Sequence, residues 1–206
     1  MQYTMERNKD NLWENIGSVT MTTQFFLKDT PLLQMLVQAA RQERPDTGEL
    51  MEFYHSDVAS LERLVNNNTL LYGVRVYAVN DSVQEMMPIL YSRSRMERME
   101  WAGEEDYTGW HFDYRDRLFD NRDGKRIASL GTEIEDYENG RIGVIETAVT
   151  MENLLPPLYE DIRDEWSCFV SEEGNLYFGD NGQENSEEFV RLKMEEGFGK
   201  DGIYTV

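Results

Sequence analysis

The sequence predicts an α+β fold: a mixed sheet with three to five helices packed on it, strand and helix alternating in the first half and hairpins in the second. Three observations predict it. Strand-forming runs near residues 69–79 and 133–145 are rich in β-branched and aromatic side chains. Apolar residues at helical spacing recur between strand-like runs up to about residue 101. Beyond residue 110, turn signals such as Asn139-Gly140 join short extended runs instead. With 206 residues, 40% hydrophobic and 12% aromatic, the chain can bury an ordinary core. Residues 1–206 are read as a single compact domain. The alternative is a two-lobe division near 103–109, where Gly103 and Gly109 flank three consecutive acids. It would give an alternating lobe, 1–103, and an acidic, hairpin-rich lobe, 110–206.

Taken in order, Ser18 to Phe26 reads as a strand because it is β-branched and aromatic. Asp29-Thr30-Pro31 then starts a helix, with Thr30 as cap and Pro31 at the first helical position. Leu32, Leu33, Leu36 and Val37 form its apolar stripe, and the run ends near Pro45 to Gly48. Glu49 to Tyr54 is expected to be a short strand. A second helix starts at Ser56 or Asp57, carries Val58, Leu61, Leu64 and Val65 on one face, and stops at Asn66-Asn67-Asn68. Thr69 to Val79 is the strongest strand, with Val74, Val76 and Ala78 on one face and Arg75, Tyr77 and Val79 on the other. A third helix is expected from Asp81 or Ser82 to about Trp101, kinked or begun at Pro88.

In the second half, Trp110 to Phe119 reads as a strand ended by a turn at Asn121 to Gly124. Glu133 to Ile145 reads as a hairpin around Asn139-Gly140, setting Tyr137 opposite Ile142, Ile134 opposite Ile145 and Glu138 opposite Arg141. Met151 to Trp166 is a helix broken by Pro156-Pro157. Ser167 to Val170 and Asn175 to Phe178 form a second hairpin, and Ser186 to Met194 a short amphipathic helix.

The charge is lopsided. The chain carries 40 acidic and 20 basic side chains, net −20. Residues 1–103 hold 14 acidic and 10 basic groups; residues 104–206 hold 26 and 10. Such a surplus opposes binding to phosphate backbones or anionic membranes, so direct nucleic-acid and membrane partners are not expected. One cysteine allows neither an intramolecular disulfide nor a multi-thiol zinc site. No signal-peptide or membrane-spanning pattern is seen, and a cytoplasmic location is expected.

Individual chemical motifs are weak. His111-Phe112-Asp113 matches half of a facial triad, but His55 is the only other histidine. A half-buried histidine in an aromatic strand is the better reading. Asp113, Asp116, Asp120 and Asp123 do not fit a calcium loop, because the required positions fall on Phe119 and Leu130. With interleaved arginines they read as a self-neutralising surface. Cys168 lies in an apolar run, where it acts as a small hydrophobe. Arg93, Arg95 and Arg98 are expected to pair with the chain's own acids, and the nearby methionines to be core.

These features point to a non-catalytic acidic binding protein that engages a basic protein surface, such as that of a nucleic-acid-binding protein. Its sharpest form is a nucleic-acid mimic of the kind phages and mobile elements carry. The candidate partner-binding residues are Glu104, Glu105, Asp106, Glu133, Glu135, Asp136, Glu138, Glu160, Asp161, Asp164 and Glu165. No cofactor, catalytic residue or metal ligand is assigned. The alternative is a small enzyme with a dispersed carboxylate–arginine site using a divalent metal.

Overall fold

A computed structural model of the chain describes residues 2–103, 107–119, 124–159, 168–171 and 174–179, with backbone alone for residues 2–6. The chain divides into two compact units, Asn15–Met151 and Met1–Glu14 with Glu152–Val206. Gly103 and Gly109 both lie within the span of the first.

The fold is α+β. Helix α1 spans Gln2–Phe26 and α2 Thr30–Ala40. Helix α3, Thr47–Glu52, runs through a π-helical turn, Phe53–Val58, into α4, Ala59–Asn66. Strands β1 (Leu71–Ala78), β2 (Leu90–Tyr91), β3 (Gly109–Arg115), β4 (Arg126–Asp136) and β5 (Gly140–Thr150) form one sheet in the order β2-β1-β5-β4-β3. Strand β2 is parallel to β1; the other neighbours are antiparallel. A short helix α5, Arg93–Met96, and a 3-10 turn, Glu100–Gly103, lie between β2 and β3.

The period-two alternation of the central strands sorts the two cores. On one face Val74, Val76, Ala78 and Ile145 pack with Phe26, Leu32, Leu36 and Leu61 from the helices. On the other, Tyr77, Val144, Ala148 and Ile127 are covered by Tyr91, Met96, Met99, Trp101 and Leu118. Fully burying each large apolar side chain contributes about 1.5–3 kcal/mol, so both layers matter to stability. Glycine is required where elements come closest. A side chain at Gly143 would place its Cβ 2.7 Å from the Tyr77 carbonyl oxygen, and one at Gly131 would run into the Tyr107 carbonyl.

Several local expectations are corrected. Residues 18–26 are helical, not extended. Val19, Thr22, Thr23 and Phe26 fall on one helical stripe and are buried, and each threonine hydroxyl donates to the carbonyl four residues back. Residues 49–54 are helical too, opened by a capping box between Asp46 and Glu49. The cap of α2 is Asp29, whose carboxylate accepts from the Leu32 amide at 3.0 Å, rather than Thr30. No long helix spans 81–101: Met86, Ile89 and Leu90 serve the helical face of the sheet, while Tyr91, Met96, Met99 and Trp101 serve the opposite face. A single straight helix cannot supply both.

The hairpin of β4 and β5 is present, but its register differs. Its loop is Tyr137-Glu138-Asn139, closed by Gly140 at φ +68°, and the Asp136 carboxylate accepts from the Glu138 and Asn139 amides. A bulge between Ile134 and Glu135 then sets Ile134 opposite Gly143 and Glu135 opposite Arg141.

In the other unit, β6 (Cys168–Val170) and β7 (Leu176–Phe178) pair antiparallel as expected. They follow a helical turn α6, Met151–Leu154, and a 3-10 turn, Pro156–Leu158. The part of the expected 151–166 helix beyond residue 159, the expected helix over 186–194 and residues 121–123 of the expected turn lie outside the described residues. Among the described residues, no helix is long and apolar enough to cross a membrane.

Candidate functional site

The polar centre of the protein sits where two strand-borne charges meet. Arg75 on β1 and Glu146 on β5 are directly opposite one another, pointing to the face away from the helices. Glu146 is fully buried. Its Oε2 accepts from the Arg75 guanidinium at 3.2 Å and the Tyr77 hydroxyl at 2.8 Å. Its Oε1 accepts from the Trp101 indole at 3.2 Å and the Tyr114 hydroxyl at 2.5 Å. Four donors on two oxygens satisfy the carboxylate, as a buried charge requires.

The second nitrogen of Arg75 reaches Asp116 Oδ2 at 2.6 Å, and the Tyr72 hydroxyl donates to the same oxygen at 2.8 Å. A bulge between Leu71 and Gly73 turns Tyr72 onto this face. Asp116 Oδ1 accepts from the Leu118 amide at 3.1 Å. Burial opposes the charge of Arg75, yet Glu146, Tyr77 and Asp116 hold its guanidinium well above the ordinary value. Burial would raise Asp116, but Arg75, Tyr72 and the Leu118 amide bring its carboxyl below the usual 3.8. Burial, reinforced by Glu146, pushes both Tyr77 and Tyr114 far upward, so neither phenol ionises near neutrality.

A cleft of about 200 Å³ opens beside Arg75 and Asp116. Tyr72, Tyr91 and Glu62 supply further polar groups, and Val65, Ile89, Leu118 and Phe119 apolar wall. Tyr91 is 2% exposed and packs its ring against Tyr77, with centroids 5.8 Å apart. Burial pushes that phenol up to about 12.

The acids singled out by sequence are placed as follows. Glu133 pairs with Arg141 at 2.7 Å and Glu138 with Arg41 at 2.7 Å. Asp136 is engaged by the hairpin turn, and Glu135 is exposed. These four lie together at one end of the β4–β5 hairpin. Glu104, Glu105, Asp106, Glu160, Asp161, Asp164 and Glu165 lie outside the described residues. Asp113 is bound by Arg126 at 2.6 Å, Arg93 by Glu97 at 2.9 Å and Arg95 by Glu85 at 3.2 Å. His111 stacks on Trp101 with ring centroids 5.4 Å apart. Among the described residues, no three histidine, cysteine or carboxylate side chains converge as a metal site.

Sequence reading passed over Arg75, Glu146 and Asp116 as a group. A signal was present: Arg75 and Glu146 are lone charges inside otherwise apolar strand runs, where a charge persists only if paired. Compared with protein-family models, curated proteins and solved structures, the chain matches none.

Proposed function

We propose that the protein is a non-catalytic acidic binding protein that engages a basic surface on a partner, in its sharpest form a nucleic-acid mimic that occupies a nucleic-acid-binding groove. The distribution of charge carries this reading. Residues 152–206 hold fourteen acidic and four basic side chains, so their own cations cannot neutralise them. Residues 15–151 hold 23 and 14, and there the described arginines Arg41, Arg75, Arg93, Arg95, Arg117, Arg126 and Arg141 are taken up by the unit's own carboxylates. Seven of that unit's fourteen basic groups are thus engaged internally, while residues 152–206 carry ten more acidic than basic side chains. Such a surplus steers a cationic surface to fast encounter and makes the complex salt-sensitive.

The second reading, an enzyme with a carboxylate–arginine site, would centre on Arg75, Asp116 and Glu146. Their mutual hydrogen bonds favour a structural role for that cluster. The test is capture of proteins from a cell extract on the immobilised chain, eluted from about 50 mM to about 500 mM salt, a range over which the screening length shortens severalfold. Support requires captured proteins richer in basic side chains than the extract, released by salt, and displaced from the chain by duplex DNA or RNA. A captured set with the charge distribution of the extract overturns the proposal.

A further inference from the structure

We propose that the outward face of α1 between Gly17 and Phe25 is the contact through which two copies of this chain associate, antiparallel about a two-fold axis at Met21. The first observation is the exposure of large apolar groups. Met21 is 75% and Phe25 51% exposed, and both lie in the unit Asn15–Met151. The second is the absence of charge. Asn15 to Leu27 is the longest uncharged run in the sequence, thirteen residues within a chain of net charge −20. Thr20, also exposed on this face, donates its hydroxyl to the Ile16 carbonyl at 2.9 Å and is satisfied within the helix.

Spacing and charge select the occupant. Gly17, Met21 and Phe25 recur every four residues, the row by which helices commonly interlock, and successive members lie about 6 Å apart along the axis. Gly17 and Phe25 are equally distant from Met21. A second α1 laid antiparallel therefore sets each Phe25 against the partner's Gly17 and Met21 against itself, the self-complementary pairing of a two-fold dimer. Gly17 supplies the hollow that such a ring needs. A Cβ there would meet nothing within 4 Å, so the chain's own packing does not call for a glycine. Glycine inside a helix costs about 1 kcal/mol relative to alanine, and the close approach of a second helix gives that cost a purpose. A basic partner finds no carboxylate in this run, and an anionic membrane is repelled by the chain as a whole. A second copy meets a face as neutral as its own, which adds no like charge to the contact.

The test is sedimentation velocity of the full chain from about 5 µM to about 500 µM, the range in which small interfaces associate. Raising salt from about 50 mM to about 500 mM should tighten the dimer severalfold by screening the repulsion between two acidic chains, whereas it weakens a complex with a basic partner. Met21→Glu and Met21→Lys each set like charges together on the axis and should weaken dimerisation about tenfold or more. Far-UV circular dichroism should stay unchanged in both, because the position is exposed. An equimolar mixture of the two variants should dimerise again, since opposite charges then meet on the axis. Gly17→Gln fills the hollow while suiting a helix, and should weaken the dimer about tenfold. The proposal is overturned if the parent chain stays monomeric at about 500 µM in about 500 mM salt. It is equally overturned if a dimer forms that Met21→Glu or Gly17→Gln leaves intact, or if the mixture of Met21→Glu with Met21→Lys associates no better than either alone.

Discussion

Removing the Glu146 carboxylate should destabilise the fold by about 3–5 kcal/mol, the usual cost of breaking a buried ion pair. The magnitude follows from what Glu146→Ala leaves behind. Tyr114 keeps Ser129 at 2.6 Å, and Arg75 keeps Asp116 at 2.6 Å. The Tyr77 hydroxyl and the Trp101 indole lose their acceptor in a region where both residues are at most 3% exposed. Each orphaned buried donor costs about 1–3 kcal/mol, and these losses overlap with the broken ion pair rather than adding to it. For a chain of this length the loss corresponds to a melting temperature lower by about 6–20 °C. Near-UV circular dichroism is the assay, because Trp101 donates directly to Glu146 and reports its surroundings. Glu135→Gln is the control, being exposed and expected to change stability by less than about 0.5 kcal/mol. Joint replacement, Arg75→Met with Glu146→Leu, should recover part of the loss, since it leaves no lone charge buried. A Glu146→Ala melt within about 2 °C of Glu135→Gln, less than 1 kcal/mol at this size, would refute the reasoning.

Asp116 makes stability depend on pH. Its folded carboxyl titrates below the unfolded one, so its contribution is complete above the ordinary carboxylate range and is lost as pH falls through the folded value. Urea midpoints of the parent and of Asp116→Asn should differ at neutral pH and converge below about pH 5; a constant gap down to the acid limit counts against the assignment. Gly131→Ala places a methyl group against the Tyr107 carbonyl and should destabilise by about 1–3 kcal/mol, the usual overpacking cost, whereas Gly17→Ala meets open space and should not destabilise; equal urea midpoints would contradict the packing. Burial raises the Cys168 thiol, so iodoacetamide should alkylate it more slowly at neutral pH than it does a free cysteine peptide, with the rates equalising in urea.

Legibility in the sequence tracked how local the determining contacts are. The strand at 71–78 and its division of Val74, Val76 and Ala78 from Arg75 and Tyr77 could be read directly, because alternation is a property of the strand itself. The hairpin was visible in Asn139-Gly140, but its register was not, since a three-residue loop and a bulge shift every pair. At 18–26 the threonines suggested a strand. Their hydroxyls instead satisfy themselves on the preceding helical turn, and Thr23 meets Thr147 at 2.8 Å, a contact 124 residues away. Between 81 and 101 the apolar side chains are divided between opposite faces of the sheet, so no single periodicity describes them. The cluster around Glu146 draws on Arg75, Tyr77, Trp101 and Tyr114, three segments joined only by tertiary structure. The isolated charges were readable; their meeting was not.

The sheet order has a consequence for synthesis on the ribosome. Strand β1 is interior, yet its long partner β5 emerges about 70 residues later, pairing Val76 with Ile145. At about 5–20 residues per second, the nascent chain carries an unfinished hydrophobic ribbon for about 4–14 s before β5 is made. During that interval Val74, Val76 and Ala78 have β2 and the early helices for company, but not the strand that completes their hydrogen-bond ladder. Mutual repulsion between neighbouring copies is weakest at the start of this vulnerable period, because residues 1–103 hold 14 acidic groups against 10 basic and most of the acid surplus is made only later.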